Sequence, residues 1–147
     1  MERYLTGAHS RFDIKYHFVW IPKYRKKILA GEVGIRLRHL VLEIGRTLEI
    51  EILEGSVSSD YVHVLPSCPP NLSPSKILQA IKGKTSQKLL QEFKPLQEQF
   101  RGRHLWARGY FAASSGNVTN EAIREYIRQQ EGTEPDDGGD NFRVTPS

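Results

Sequence analysis

An α+β domain, one antiparallel sheet covered by helices, is the fold class this sequence predicts, and three observations predict it. Apolar residues alternate singly in some stretches, recur every three to four residues in others, and the two kinds of stretch interleave along the chain. A β-strand points residues i and i+2 to one face, whereas a helix brings i, i+3 and i+4 together, so each period assigns an element.

Phe12, Ile14, Tyr16, Phe18 and Trp20 alternate with Asp13, Lys15, His17, Val19 and Ile21, which predicts a first strand over 12–21 that Pro22 ends. Val33, Leu37, Leu40, Val41, Ile44 and Leu48 recur at helical spacing and predict an amphipathic helix over about 31–48. Residues 50–57 read as a second strand. Ser58-Ser59-Asp60 is so short a link that the third strand, 61–66, should pair antiparallel with the second. Cys68-Pro69-Pro70-Asn71 stops that strand. Ser73 then offers an N-cap with Pro74 at the first helical position, and Ile77, Leu78, Ile81, Leu89, Leu90 and Phe93 mark a second helix ending near Pro95. Gly83 interrupts it at a cost of about 1 kcal/mol relative to alanine, which suggests close approach of another backbone or of DNA. Residues 105–113 read as a fourth strand and 114–117 as a turn and hinge. Thr119 caps a third helix running to about 131.

This order, β-α-β-β-α-β followed by a helix, is the ferredoxin-like split pattern, in which the first and third strands lie side by side at the centre. The even-numbered aromatics of strand one should face the two helices, leaving Asp13, Lys15 and His17 on the opposite face. If Val62 and Val64 also point to the helices, Tyr61 and His63 share that open face with His17.

Composition narrows the class. A chain of 147 residues, 38% hydrophobic, supports one domain with a core and not two. Residues 1–131 are read as that domain and 132–147 as a flexible acidic tail. With one cysteine, Cys68, an internal disulfide is excluded and the thiol is expected to be inert. The polar start lacks the apolar run of a signal peptide, and nothing approaches the roughly 20 apolar residues that span a bilayer, so a cytoplasmic protein without a membrane partner is expected. The net charge of +4 hides a tail of −3 and a body of +7, which suits a polyanionic partner.

Two groups of residues carry chemistry. Tyr61-Val62-His63 puts a phenol and an imidazole on one strand face, one residue short of a two-imidazole clamp for a divalent metal. Tyr126 and Gln130 lie four apart and hence one turn from each other on the third helix, beside the Ile123 and Ile127 stripe expected to pack on the sheet. Cations and aromatics also interleave. Lys23, Arg25, Lys26 and Lys27 surround Tyr24, Lys84 and Lys88 share a helix face, and Arg101, Arg103, His104 and Arg108 flank Trp106, a combination suited to unpaired nucleic acid.

The chain resembles the single-tyrosine transposases of bacterial insertion sequences, which are HUH endonucleases. The resemblance covers roughly residues 9–131. It rests on Lys15-Tyr16-His17-Phe18-Val19-Trp20 with Pro22-Lys23-Tyr24-Arg25, on Asp60-Tyr61-Val62-His63-Val64-Leu65 and on Ile81-Lys82-Gly83-Lys84-Thr85-Ser86. Leu105-Trp106-Ala107-Arg108-Gly109-Tyr110-Phe111 and Asn117-Val118-Thr119 with Tyr126-Ile127 and Gln130 complete it. It implies a homodimer that cuts and rejoins single-stranded DNA at hairpins near element ends, with Tyr126 attacking to form a 5′-phosphotyrosine. It further implies Mg²⁺ or Mn²⁺ held by His63, Gln130 and position 61. There this chain departs from the family, with Tyr61 where the first histidine belongs. Water or His17 could fill the gap, and a non-catalytic single-strand-binding protein on the same fold stays open. Lys23, Arg25, Lys26, Lys82, Lys84, Lys88, Arg103 and Arg108 are the expected DNA contacts.

Overall fold

Alternation in the first half of the chain becomes antiparallel sheet in the computed structural model, which describes residues 5–7, 10–12, 14–101, 104–117 and 119–130. The strands are β1 (Leu5–Gly7), β2 (Ser10–Phe12), β3 (Ile14–Trp20), β4 (Glu51–Ser58), β5 (Tyr61–Cys68) and β6 (Phe111–Ser114). The helices are α1 (Gly31–Thr47), α2 (Pro74–Glu92), α3 (Lys94–Phe100) and α4 (Asn120–Gln129). β1 and β2 pair as a separate hairpin, and the other four strands form one sheet in the order β4-β5-β3-β6, every pairing antiparallel. β3 and β5, which correspond to the predicted first and third strands, are therefore the central pair, as the element order required.

The two faces of that sheet divide by parity. Phe18 and Trp20 of β3 and Val62 and Val64 of β5 enter one core with Leu37, Leu40 and Val41 of α1 and Ile77, Leu78, Ile81 and Leu89 of α2, all buried. Val19, pointing the other way, is fully buried beneath Ile123 and Ile127 of α4, with Tyr61, Phe111 and Tyr126 packed around them. An amphipathic α4 thus covers part of the face that α1 and α2 leave open. Gly34 lets α1 settle onto the preceding loop, since a Cβ there would stand 2.5 Å from the Leu29 carbonyl oxygen.

Local signals hold where capping chemistry dictates the end. Ser73 Oγ accepts from the Lys76 amide at 3.2 Å with Pro74 in the first turn, and Thr119 Oγ1 accepts from the Ala122 amide at 3.1 Å. Three expectations are corrected. Strand one does not begin at Phe12, which pairs with Leu5 in the N-terminal hairpin. β5 runs past Pro66 to Cys68, because a register irregularity between Ile52 and Glu54 of β4 accommodates the proline opposite it. The second helix does end near Pro95, at Glu92, and Pro95 also sits in the first turn of α3, where its missing N–H costs no hydrogen bond. Gly83 has no other part of the described chain within 4 Å of where a Cβ would stand, so no approaching backbone explains it.

The predicted fourth strand is divided. Only Phe111–Ser114 joins the sheet, alongside β3. Residues 105–107 instead hydrogen-bond with 21–23 beyond the end of β3: the Lys23 amide donates to Leu105 O at 2.9 Å, and the Ala107 amide to Ile21 O at 2.9 Å. Trp106 locks that segment, its indole N–H donating to Thr85 Oγ1 at 3.0 Å and its ring standing edge-on to Trp20. Cys68 is fully buried, and burial pushes its thiol up to about 12, in keeping with an inert residue.

Candidate active site

Register places the chemistry. Val19 of β3 lies opposite His63 of β5, and Phe18 lies opposite Val64. His17 is two residues from Val19 on the same face, which makes it a diagonal neighbour of His63 across the central pair. The side chains meet: His17 Nδ1 and His63 Nε2 are 2.9 Å apart, with ring centroids at 5.2 Å and planes 30° from parallel. The sequence expectation that His17, Tyr61 and His63 share the open face therefore holds.

His63 is half-buried, and its pKa lies below the ordinary 6.5, first because burial disfavours the imidazolium and then because His17 stands beside it; Glu54 opposes weakly. A neutral imidazole keeps the lone pair that a metal or a proton needs. The same shift predicts a pH dependence. With the folded pKa depressed, the unfolded chain binds more protons just below pH 6.5, so the contribution is intact above that value and is lost as pH falls through the folded pKa. Thermal unfolding should accordingly occur at lower temperature at pH 5.5 than at pH 7.5. The drop should be smaller in His63→Gln, and an equal drop in both proteins would refute the assignment.

Tyr126 reaches the same face from above. Its ring packs against Phe111 with centroids 5.6 Å apart, and its hydroxyl lies beside Gly109, where a Cβ would stand 3.7 Å away. Tyr61 belongs to the same cluster under α4. Gln130 is the C-cap of α4, one turn beyond Tyr126, and is partly exposed. The helix that carries tyrosine and amide is thus docked over the strand that carries the imidazole.

The segment under the Tyr126 hydroxyl is held by a lysine. Lys82 Nζ donates to the carbonyls of Ala107, Arg108 and Gly109 at 2.8, 3.2 and 3.0 Å, and its ammonium lies 5.9 Å from the Tyr110 ring centroid. Those acceptors match its three N–H groups in number. Sequence reasoning took Lys82 for a DNA contact and missed this clip. A lysine on a helix gives no local sign of which carbonyls fold back onto it.

The other expected contacts fall into three groups. Lys26, Lys84, Lys88 and Arg108 are exposed, with Lys26 Nζ 5.7 Å from the Phe100 ring centroid. Lys23 is buried, and Arg25 Nε donates to Asp60 Oδ2 at 2.7 Å, tying the turn after β3 to the residue that precedes Tyr61. Tyr24 and Arg25 both hold left-handed backbone, φ 59° and 53°, so this turn is strained and anchored at once. Arg103 lies outside the described residues. A groove of about 660 Å³ between α1 and β4, lined in part by Leu29, Ile35, Val57, Val62 and Val64, opens on the helix-covered face, away from the histidines.

His63, Gln130 and His17 offer two imidazole nitrogens and one amide oxygen. Such a set fits a borderline cation such as Mn²⁺ better than Mg²⁺, which prefers oxygen ligands throughout. Among the described residues no three His, Cys, Asp or Glu side chains converge. No helix of the described residues is long and apolar enough to cross a membrane.

Comparison with known proteins gives the family. The family model described as "Transposase IS200 like" matches residues 10–130. The transposase for insertion sequence element IS200 of Salmonella typhimurium is 34% identical over 123 residues, covering 84% of this chain and 80% of the relative. The ISDra2 transposase TnpA of Deinococcus radiodurans is 28% identical over 124 residues, 84% of this chain and 89% of the relative. A crystal structure described as a transposase of D. radiodurans superposes with a TM-score of 0.78 at 27% identity, covering 86% of this chain and 97% of that one. A tyrosine transposase bound to a REP hairpin shares the fold, with a TM-score of 0.53 at 14% identity over 84% of this chain and 68% of that one. With the family model spanning most of its length and its fold shared by known transposases, the chain belongs to the IS200-like transposase family.

Proposed function

We propose that this protein cuts and rejoins single-stranded DNA at the ends of an insertion sequence, with Tyr126 as the attacking group. The observation that carries the reading is the docking of the Tyr126 helix on the sheet face where His63 is presented. In the forward step the Tyr126 oxygen bonds to the scissile phosphorus as the P–O3′ bond breaks. The phenol proton is released and the departing 3′ oxygen gains one, leaving a 5′-phosphotyrosine. Attack by a 3′ hydroxyl runs the step backwards and releases the tyrosine. Bond energy is stored throughout, so one site serves both cleavage and ligation.

A divalent cation, Mn²⁺ or Mg²⁺, held by His63 and Gln130, would supply positive charge to the scissile phosphate. The chain's own residues do the positioning. Lys82 fixes the backbone beneath the Tyr126 hydroxyl, Phe111 fixes the ring, and the Arg25–Asp60 pair fixes the entry to β5. Exposed Lys26, Lys84, Lys88 and Arg108 track the phosphates of a hairpin-bearing strand, with two copies of the chain acting as a homodimer.

The test is a labelled single-stranded hairpin oligonucleotide incubated with the protein and Mn²⁺. A covalent adduct on a denaturing gel is expected, preceded by reversible binding that weakens steeply with salt, with a log–log slope of roughly −0.7 per phosphate neutralised. Binding without adduct under every metal condition would favour the non-catalytic binding protein, the reading that Tyr61 at the family's histidine position supports. Equal preference for plain duplex would sink both.

A further inference from the structure

We infer that His17 is the second imidazole of the cation site, so that the nitrogen pair comes from two adjacent strands, one ligand from β3 and one from β5. The inference rests on the cleavage reading only for the site's purpose; the pair itself is a matter of geometry.

In an octahedral shell, bonds of about 2.1 Å meeting at about 90° would place two ligand nitrogens about 3.0 Å apart. His17 Nδ1 and His63 Nε2 stand at 2.9 Å. Without a cation, that separation is a single N–H···N hydrogen bond. With one, whichever ring donates carries its proton on its other nitrogen, and the two facing nitrogens turn their lone pairs to a common cation.

The backbone holds the pair in place. His17 pairs with Ala113 on one side, and β5 lies on the other, so the residue sits on an interior strand of the sheet. His63 sits on the other interior strand, between β3 and β4. Ligands on paired interior strands are held more closely than ligands on loops. Tyr61, by contrast, is packed in the apolar cluster of Val19, Ile123 and Ile127, where its ring supports α4. A phenol, with an ordinary pKa near 10, is a poor neutral ligand even where it can reach. The sheet therefore offers imidazole at 17 and 63 and hydrophobic support at 61.

Mn²⁺ titrated into the full chain without DNA tests this, with free Mn²⁺ read by electron paramagnetic resonance and bound nitrogens counted by pulsed methods. The wild type is expected to show two imidazole nitrogens. His17→Ala and His63→Ala should each show one and bind on the order of 10- to 100-fold more weakly, a loss that even outer-shell partners produce. Tyr61→Phe should still show two. His17→Gln serves as a second variant of similar size, and metal-free melting curves identify any variant that fails to fold. A single nitrogen in the wild type, no Mn²⁺ binding at millimolar concentration, or folded His17 variants with undiminished affinity and nitrogen count would each overturn the inference. Adduct formation, scored separately, keeps the two readings apart. Two nitrogens without adduct retain the His17 site and remove cleavage, whereas equal adduct from wild type and His17→Ala retains cleavage and removes His17.

Discussion

Tyr126→Phe should abolish the covalent protein–DNA adduct, a loss of at least about a thousandfold in cleavage rate, because no other atom of the side chain can attack phosphorus. Hairpin binding should stay within about twofold, since the substitution removes one oxygen and keeps the ring that packs on Phe111. A denaturing gel reads the first quantity and filter binding the second. The contrast between them gives the experiment its force, because a misfolded variant would lose both. An adduct that survives in Tyr126→Phe would move the nucleophile elsewhere. Tyr61 is the next phenol in the same cluster, and Tyr61→Phe would then decide.

Trp106→Ala should lower stability by about 3–5 kcal/mol. The indole is almost wholly buried, meets Trp20 edge-on and donates to Thr85 Oγ1. It also fixes the segment that pairs with residues 21–23 and continues into the Lys82 clip, so its loss reaches the floor of the candidate site. Urea unfolding gives the free energy directly, and the melting temperature should fall by roughly 10 °C or more in a domain of this size. Trp106→Phe keeps most of the apolar surface and should cost distinctly less. If Trp106→Ala lost under about 1 kcal/mol, the segment would not be held as described.

The sequence by itself determined the elements whose signals are local. Alternation from Ile14 to Trp20 and the 3.6 period of α1 gave the central strand and the first helix; Ser73 and Thr119 set two helix starts through oxygens that accept their own first-turn amides. Strand parity also placed His17, Tyr61 and His63 on one face, because a period of two is a property of the backbone. The motifs that carry the family resemblance were legible for the same reason, being contiguous runs.

Tertiary structure decided what depends on partners distant in sequence. Residues 105–107 look no different from a sheet strand until the Lys23 amide is seen to donate to Leu105 O and the Ala107 amide to Ile21 O, beyond the end of β3. Pro95 reads as a helix stop, yet it also starts α3, and only packing of Leu96 and Phe100 into the core separates the two outcomes. Lys82 and Arg25 look like phosphate contacts, and only the fold shows that they also hold carbonyls and Asp60. Contact between His17 and His63 required one register among those available to strands 46 residues apart in sequence. Periodicity fixes which way a side chain points, but which distant side chain it meets follows from how buried surfaces across the whole chain fit together.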